Sequence, residues 1–165
     1  LTTSIKKDQL SIEEIERLTR VMSTLNKTAA EIMEPYPVQA CTDVTGFGLL
    51  GHATEVATAS NAGIVINNEQ VPFLPRVREL AEAGFVPGGT KNNFAHVKDA
   101  VHFAEELDQI DQWMLCDAVT SGGLLMSVRA DQADTLLAEL RQAGVDAHRI
   151  GEVTSDHPGE IKVLK

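Results

Sequence analysis

The sequence predicts a layered α/β (α+β) domain, a mixed β-sheet with helices packed on it. Helical periodicities and short β-prone runs are interleaved along the chain without strict alternation. Hydrophobic residues make up 43% of the chain and aromatic residues only 4%, so a sizeable core is expected, built from Leu, Val, Ile and Ala. The length, 165 residues, suits one domain over 1–165, and neither a sequence repeat nor a low-complexity linker divides it.

The elements follow in order. SIEEIERLTRVMSTLNKTAAEIM reads as one long helix. Ser11 is placed to cap its N-terminus, and Glu13 and Glu14 fall in the first turn, where the helix dipole favours acids. Ile12, Ile15, Leu18, Met22 and Leu25 recur at three- and four-residue steps and predict one buried stripe, ended by Pro35 and Pro37. VQACTDV is a short strand before a glycine turn. LLGHATEVATASN is a second helix, closed by Asn61 and Gly63, and GIVINN is a strand. A proline-punctuated loop leads to a short helix near 76–83, then to a Gly-Gly loop at PGGTKNN. HVKDAVHFAEEL reads as a helix with a thin apolar face. CDAVTSGGLLMSV passes from an acid and a threonine through a small-residue turn into an apolar strand. DQADTLLAELRQAG is a helix with Leu136, Leu137 and Leu140 inward and Gly144 past its end. DAHRIGEVTS and EIKVLK close the chain as a strand pair.

Charge and cysteine usage narrow the function classes. Lys and Arg number 14 against 24 Asp and Glu, a formal charge of −10. Such a surface repels nucleic-acid backbones and anionic membranes, and no basic run offsets it, so neither partner is expected. No apolar run approaches the roughly 20 residues of a membrane span, and LTTSIKKDQL has no signal-peptide apolar region. It also lacks an initiator Met, so a natural start upstream is expected. Cys41 and Cys116 are too few for a disulfide framework and form no C-x-x-C pair, which suits a reduced, cytoplasmic protein.

Three segments share one composition: TDVTGFG, PGGTKNN and DAVTSGG each set Gly beside Thr, Ser or Asn. Loops of this kind let backbone N–H groups approach an anion, with hydroxyls as added donors. The first of them opens a helix, whose positive end favours phosphate. None matches the P-loop pattern, and Lys91 follows its glycines at the wrong spacing. Gly46, Gly48 and Gly51 complete G-x-G-x-x-G, and Glu69 lies where a ribose-binding acid would fall, so a Rossmann site stays open. Each loop taken alone is also a plain turn, Asp43 a turn acid, His52 a helix-surface or core histidine, and Cys116 a small buried hydrophobe. A Cys41/Asp43/His52/Cys116 zinc site fits no known ligand spacing.

In order, TDVTGFGLLGH, PGGTKNNF and CDAVTSGGLLMSV resemble the C-terminal domain of the selenophosphate synthetase (selenide, water dikinase) family. That family belongs to the superfamily with aminoimidazole ribonucleotide synthetase, hydrogenase-maturation and thiamine-monophosphate kinase proteins. The resemblance spans nearly the whole chain. It implies an enzyme that makes selenophosphate from selenide and ATP, releasing AMP and orthophosphate with Mg²⁺ required, and that works as a homodimer. It also implies an N-terminal ATP-binding domain, absent from this sequence, that carries the catalytic Cys or selenocysteine and the catalytic Lys. This chain alone is then expected to be inactive. Asp43 matches the family aspartate that helps hold Mg²⁺ against the ATP phosphates, and Thr42, Thr45, Gly46 and Gly48 would shape its loop. Gly88, Gly89, Thr90 and Asn93, with Thr120, Ser121, Gly122 and Gly123, are expected to line the same cleft. One departure is that the family's Asp-Pro-Gln before TSGG is here Asp117-Ala118-Val119. The rival readings are a sister enzyme of the superfamily, against which PGGTKNN argues, and a non-catalytic binding or assembly module.

Overall fold

The computed structural model describes residues 1–5 and 9–165; residues 6–8, within LTTSIKKDQL, lie outside the described residues. A short helix α1 (Thr2–Ile5) precedes α2 (Ile12–Ser23), α3 (Lys27–Met33), β1 (Val38–Asp43), α4 (Gly48–Ser60) and β2 (Gly63–Asn67). Then come α5 (Val77–Glu82), α6 (Gly88–Val97), β3 (Val101–Phe103), α7 (Gln109–Leu115), β4 (Leu124–Val128), α8 (Ala130–Gln142), β5 (Gly151–Thr154) and β6 (Ile161–Leu164). The mixed sheet runs β3-β6-β2-β5, with β6 parallel to both β2 and β3 and β5 antiparallel to β2. β1 and β4 form a separate antiparallel ribbon, in which Asp43 pairs with Leu124.

Two apolar clusters hold these layers. In the larger, Ile66, Ile161 and Val163 of the sheet meet Leu50 and Ala53 of α4, Val97 of α6, and Leu115 and Cys116 at the end of α7. The smaller joins Ala29 of α3 to Leu136 and Leu140 of α8, against Leu124, Met126 and Val128 of the ribbon. The aliphatic core expected from composition is thus divided between the sheet and the ribbon.

The expected helix over residues 11–33 is two helices. Its start is as read: Glu14 N–H donates to Ser11 Oγ at 3.3 Å, and Ser11 N–H donates to Glu14 Oε2 at 2.7 Å, a reciprocal capping box. The break comes where Thr24 turns extended and its hydroxyl donates to Arg20 O at 2.7 Å, ending α2. Asn26 stands where a cap for α3 belongs, yet its side chain instead donates to Gly122 O at 3.1 Å. The expected stripe shrinks accordingly: Leu18 is buried and Ile15 and Met22 are half-buried, while Ile12 and Leu25 are each 77% exposed.

Other expectations are corrected by contacts distant in sequence. PGGTKNN is not a loop, because extended Pro87 precedes α6 and Gly88 and Gly89 form its first turn. HVKDAVHFAEEL is not one helix: α6 ends at Val97, and 101–103 become a strand because β6 offers a parallel edge, Val101 pairing with Ile161. β5 and β6 do not pair with each other, since β2 lies between them. α7 was not expected, although Asp108 and Asp111 form a capping box at its start. The second helix and its left-handed Asn61 cap (φ 50°) are found, as is Gly144 (φ 82°) after α8.

Candidate functional site

The three Gly/Thr/Asn segments meet at one face. Residues 43–48 link β1 to α4, residues 88–93 open α6, and residues 116–123 link α7 to β4. Backbone bonds zip the first to the third: Val44 N–H donates to Gly123 O at 3.0 Å, Gly122 N–H to Val44 O at 2.9 Å, and Val119 N–H to Thr45 O at 3.1 Å. Asn93 Nδ2 closes the triangle, donating to Gly46 O at 2.9 Å and Cys116 O at 3.1 Å. The Thr90 hydroxyl donates to Asp117 Oδ1, joining α6 to the third segment a second time.

The glycines follow from this crowding. Gly48 has φ +69°, and a Cβ there would lie 2.6 Å from Asp117 O. Only glycine adopts that backbone at little cost and leaves room for the neighbouring strand of chain. At Gly122 a Cβ would lie 2.5 Å from Val44 O.

The residues expected from sequence therefore divide. Asp43 is exposed at the end of β1, and Gly46, Gly88, Gly89, Thr120 and Gly123 are exposed around the same three segments, with Ser121 half-buried. Thr42 alternates away from Asp43 along the strand, and its hydroxyl donates to Asp43 O at 3.2 Å. Thr90 is 1% exposed, and its hydroxyl and the Asn93 amide are used in the cross-ties; Gly122 is packed on Val44. Thr90, Asn93 and Gly122 thus build the face, while the exposed residues are what it presents.

Sequence reasoning missed His52, Glu55 and Asp117 as builders of this site. His52 is 7% exposed; its Nε2 lies 3.1 Å from Thr45 Oγ1 and its Nδ1 lies 2.9 Å from Glu55 Oε2. The available signal was spacing: His52 and Glu55 stand three apart on one helix, so their side chains can meet.

Electrostatics favours the protonated thiol at both cysteines. Burial first, and the Asp117 charge second, push the Cys116 thiol up to about 12, so no thiolate forms at neutral pH. Burial and then Asp43 raise the Cys41 thiol as well. Among the described residues no three His, Cys, Asp or Glu side chains cluster as a metal site. A lone exposed carboxylate fits Mg²⁺ as one ligand among several, since that ion takes one or two carboxylates with phosphate oxygens and water. The Rossmann reading also fails. β1 pairs antiparallel with β4, whereas β2 beyond α4 lies in the other sheet, so no parallel βαβ unit surrounds Gly46, Gly48 and Gly51.

The AIR synthase related protein, C-terminal domain model matches residues 3–164. The chain belongs to this family. The selenide, water dikinase of Myxococcus xanthus (strain DK1622) is 49% identical over 160 residues, covering 96% of this chain and 46% of that protein. The chain spans about half the length of the curated relatives it matches. Among solved structures, thiamine-monophosphate kinase from Stenotrophomonas maltophilia K279a superposes with a TM-score of 0.64 at 18% identity, covering 96% of this chain and 43% of that one. A hydrogenase maturation protein HypE in complex with ATP gives a TM-score of 0.53 at 20% identity, covering 83% of this chain and 36% of that one. At these identities the structures establish the α/β fold of the AIR synthase related family. No helix among the described residues is long and apolar enough to cross a membrane.

Proposed function

We propose that this AIR synthase related chain is the C-terminal domain of a selenide, water dikinase and forms one wall of its Mg-ATP cleft. The observation that carries the reading is the convergence of three motif segments on Val44, Thr45 and Gly46, directly after exposed Asp43, in a chain 49% identical to a protein of that name. Asp43 would contribute one ligand to Mg²⁺. Gly46, Gly88, Gly89, Thr120, Ser121 and Gly123 line the phosphate side, while Thr45, Thr90, Asn93 and Gly122 hold them in place. The bound ion would neutralise phosphate charge during phosphoryl transfer. This chain's own part is positioning, because the face brings hydroxyls, backbone groups and carboxylates, of which that of Asp43 is the one that accepts no hydrogen bond among the described residues. Lys91, the cation within these segments, has its Nζ 5.0 Å from the Trp113 ring centroid.

The remaining ligands and the selenide chemistry then belong to an N-terminal half that a polypeptide of the relatives' length would supply. The whole protein is a cytoplasmic homodimer on this reading, and the isolated chain is inactive. The test is selenide-dependent AMP formation by a polypeptide of the relatives' length that carries this chain, measured with and without Asp43→Ala across a Mg²⁺ titration. The variant is expected to lose activity sharply or to regain it only at much higher Mg²⁺. Equal activity at every Mg²⁺ level would make Asp43 a turn acid only. Absence of AMP from the unmodified protein would overturn the function itself.

A further inference from the structure

We infer that His52, held by Glu55, is a positioning residue that sets the polarity of the Thr45 hydroxyl. In this arrangement Thr45, two residues beyond Asp43 in the same loop, spends its proton on His52 and would offer oxygen lone pairs, not a proton, to water on a Mg²⁺ bound by Asp43. The inference rests on the Mg-ATP reading above. The Thr45 backbone is already fixed, since its carbonyl accepts from Gly48 N–H at 2.9 Å and from Val119 N–H at 3.1 Å. The hydroxyl rotor is the freedom left, and its neighbour is His52 Nε2 at 3.1 Å.

The donor and acceptor inventory decides the direction. A carboxylate only accepts, so the 2.9 Å contact with Glu55 places the imidazole proton on Nδ1. In the neutral ring Nε2 is then bare and can only accept, so Thr45 donates to it, whereas a doubly protonated ring would reverse that bond and, like an Nε2–H tautomer, overturn the inference. A hydroxyl whose single proton is spent offers lone pairs alone. These suit the hydrogens of metal-bound water and repel phosphate oxygens. The opposite tautomer would free the Thr45 proton and reverse that preference. The ring is poorly placed to change partners: it is buried and meets Phe47 edge-on, with centroids 5.6 Å apart and an interplanar angle of 61°. Glu55, with 61% of its side chain exposed, can be altered without disturbing the core.

Glu55→Lys exchanges an acceptor for a donor on this exposed helix face, whereas Glu55→Gln keeps an acceptor oxygen. Long-range ¹H–¹⁵N NMR on this chain reads the His52 tautomer. The expected result is Nδ1–H in the unmodified chain and in the Glu55→Gln variant, and Nε2–H after Glu55→Lys. An Nε2–H ring in the unmodified chain, or no change after Glu55→Lys, overturns the inference. In the polypeptide of the relatives' length, Glu55→Lys is expected to raise the Mg²⁺ needed for half-maximal AMP formation about tenfold, as for other outer-shell partners. On a Thr45→Val background the same substitution should add nothing, because its effect runs through the hydroxyl. Equal rises on both backgrounds would reveal a direct charge effect and overturn the inference. If the unmodified protein makes no AMP with selenide, the Mg-ATP reading fails, while the NMR result still decides whether Glu55 sets the Thr45 hydroxyl.

Discussion

In the four-stranded sheet, Ile66, Ile161 and Val163 are almost fully buried and lean on Leu50, Val97 and Leu115. At the loop face, the chain is joined instead by carbonyls: those of Val44, Thr45, Gly46 and Cys116 each accept from another segment. The first region depends on volume and burial, which many aliphatic combinations can supply. The second depends on direction, and it admits neither an added Cβ at Gly48 nor a missing amide at Asn93. Stability and positional precision are therefore lodged in different parts of the molecule.

Substitutions can break this contrast. The largest effect is expected from Ile66→Ala, a buried truncation that should cost about 2–5 kcal/mol of global stability, read from the urea midpoint. Gly48→Ala should cost about 1–3 kcal/mol for a side chain in left-handed backbone. Its signature is local: the Val119 and Gly122 amides, which donate to Thr45 and Val44, should lose hydrogen-exchange protection ahead of the sheet. If Ile66→Ala opens those two amides selectively as well, the regions are not separate. Asn93→Ala, which leaves the carbonyls of Gly46 and Cys116 without their shared donor, should cost about 1 kcal/mol and loosen the same amides more mildly.

The smallest effect sharpens the picture at the periphery. The Ser11 backbone N–H, then Arg76, lower the Glu14 carboxyl below its ordinary range, and Arg78 first, with backbone N–H groups, lowers Asp108. Carboxyls with a depressed folded-state pKa stabilise above their unfolded pKa, and that stabilisation is lost as pH falls through the folded value. Acidification below about pH 4 should therefore loosen α2 and the α5–α7 pairing first. Exchange measured along a pH series would show those helices opening before the loop face. Simultaneous loss would mean that these ion pairs are irrelevant to local order.

Features legible in the sequence were those decided by near neighbours. Ser11 announced the N-cap of α2, Asn61 closed α4, and the turn before α4 needed its glycines. The illegible features were decided across the chain. Residues 101–103 are a strand only because β6 lies alongside, and β2 separates two strands that are adjacent in sequence. At the site, composition flagged all three segments but could not divide presenters from builders. Thr90 and Asn93 look like ligand donors until Asp117, Gly46 and Cys116 are seen to occupy their polar groups. The pairing of His52 with Thr45 needed the start of α4 to be known, because only then do two residues seven apart face each other.

The bond from Asn26 to Gly122 spans 96 positions of sequence and joins the start of α3 to the Ser-Gly turn. It acts as a tether. Whatever shifts the start of α3 by a few ångströms must either snap this single amide contact or drag Gly122 along. Because Gly122 is itself hydrogen-bonded to Val44, the tug passes on to the residue beside Asp43. A mechanical input at the N-terminal helices thus has a short, two-bond route to the loop face.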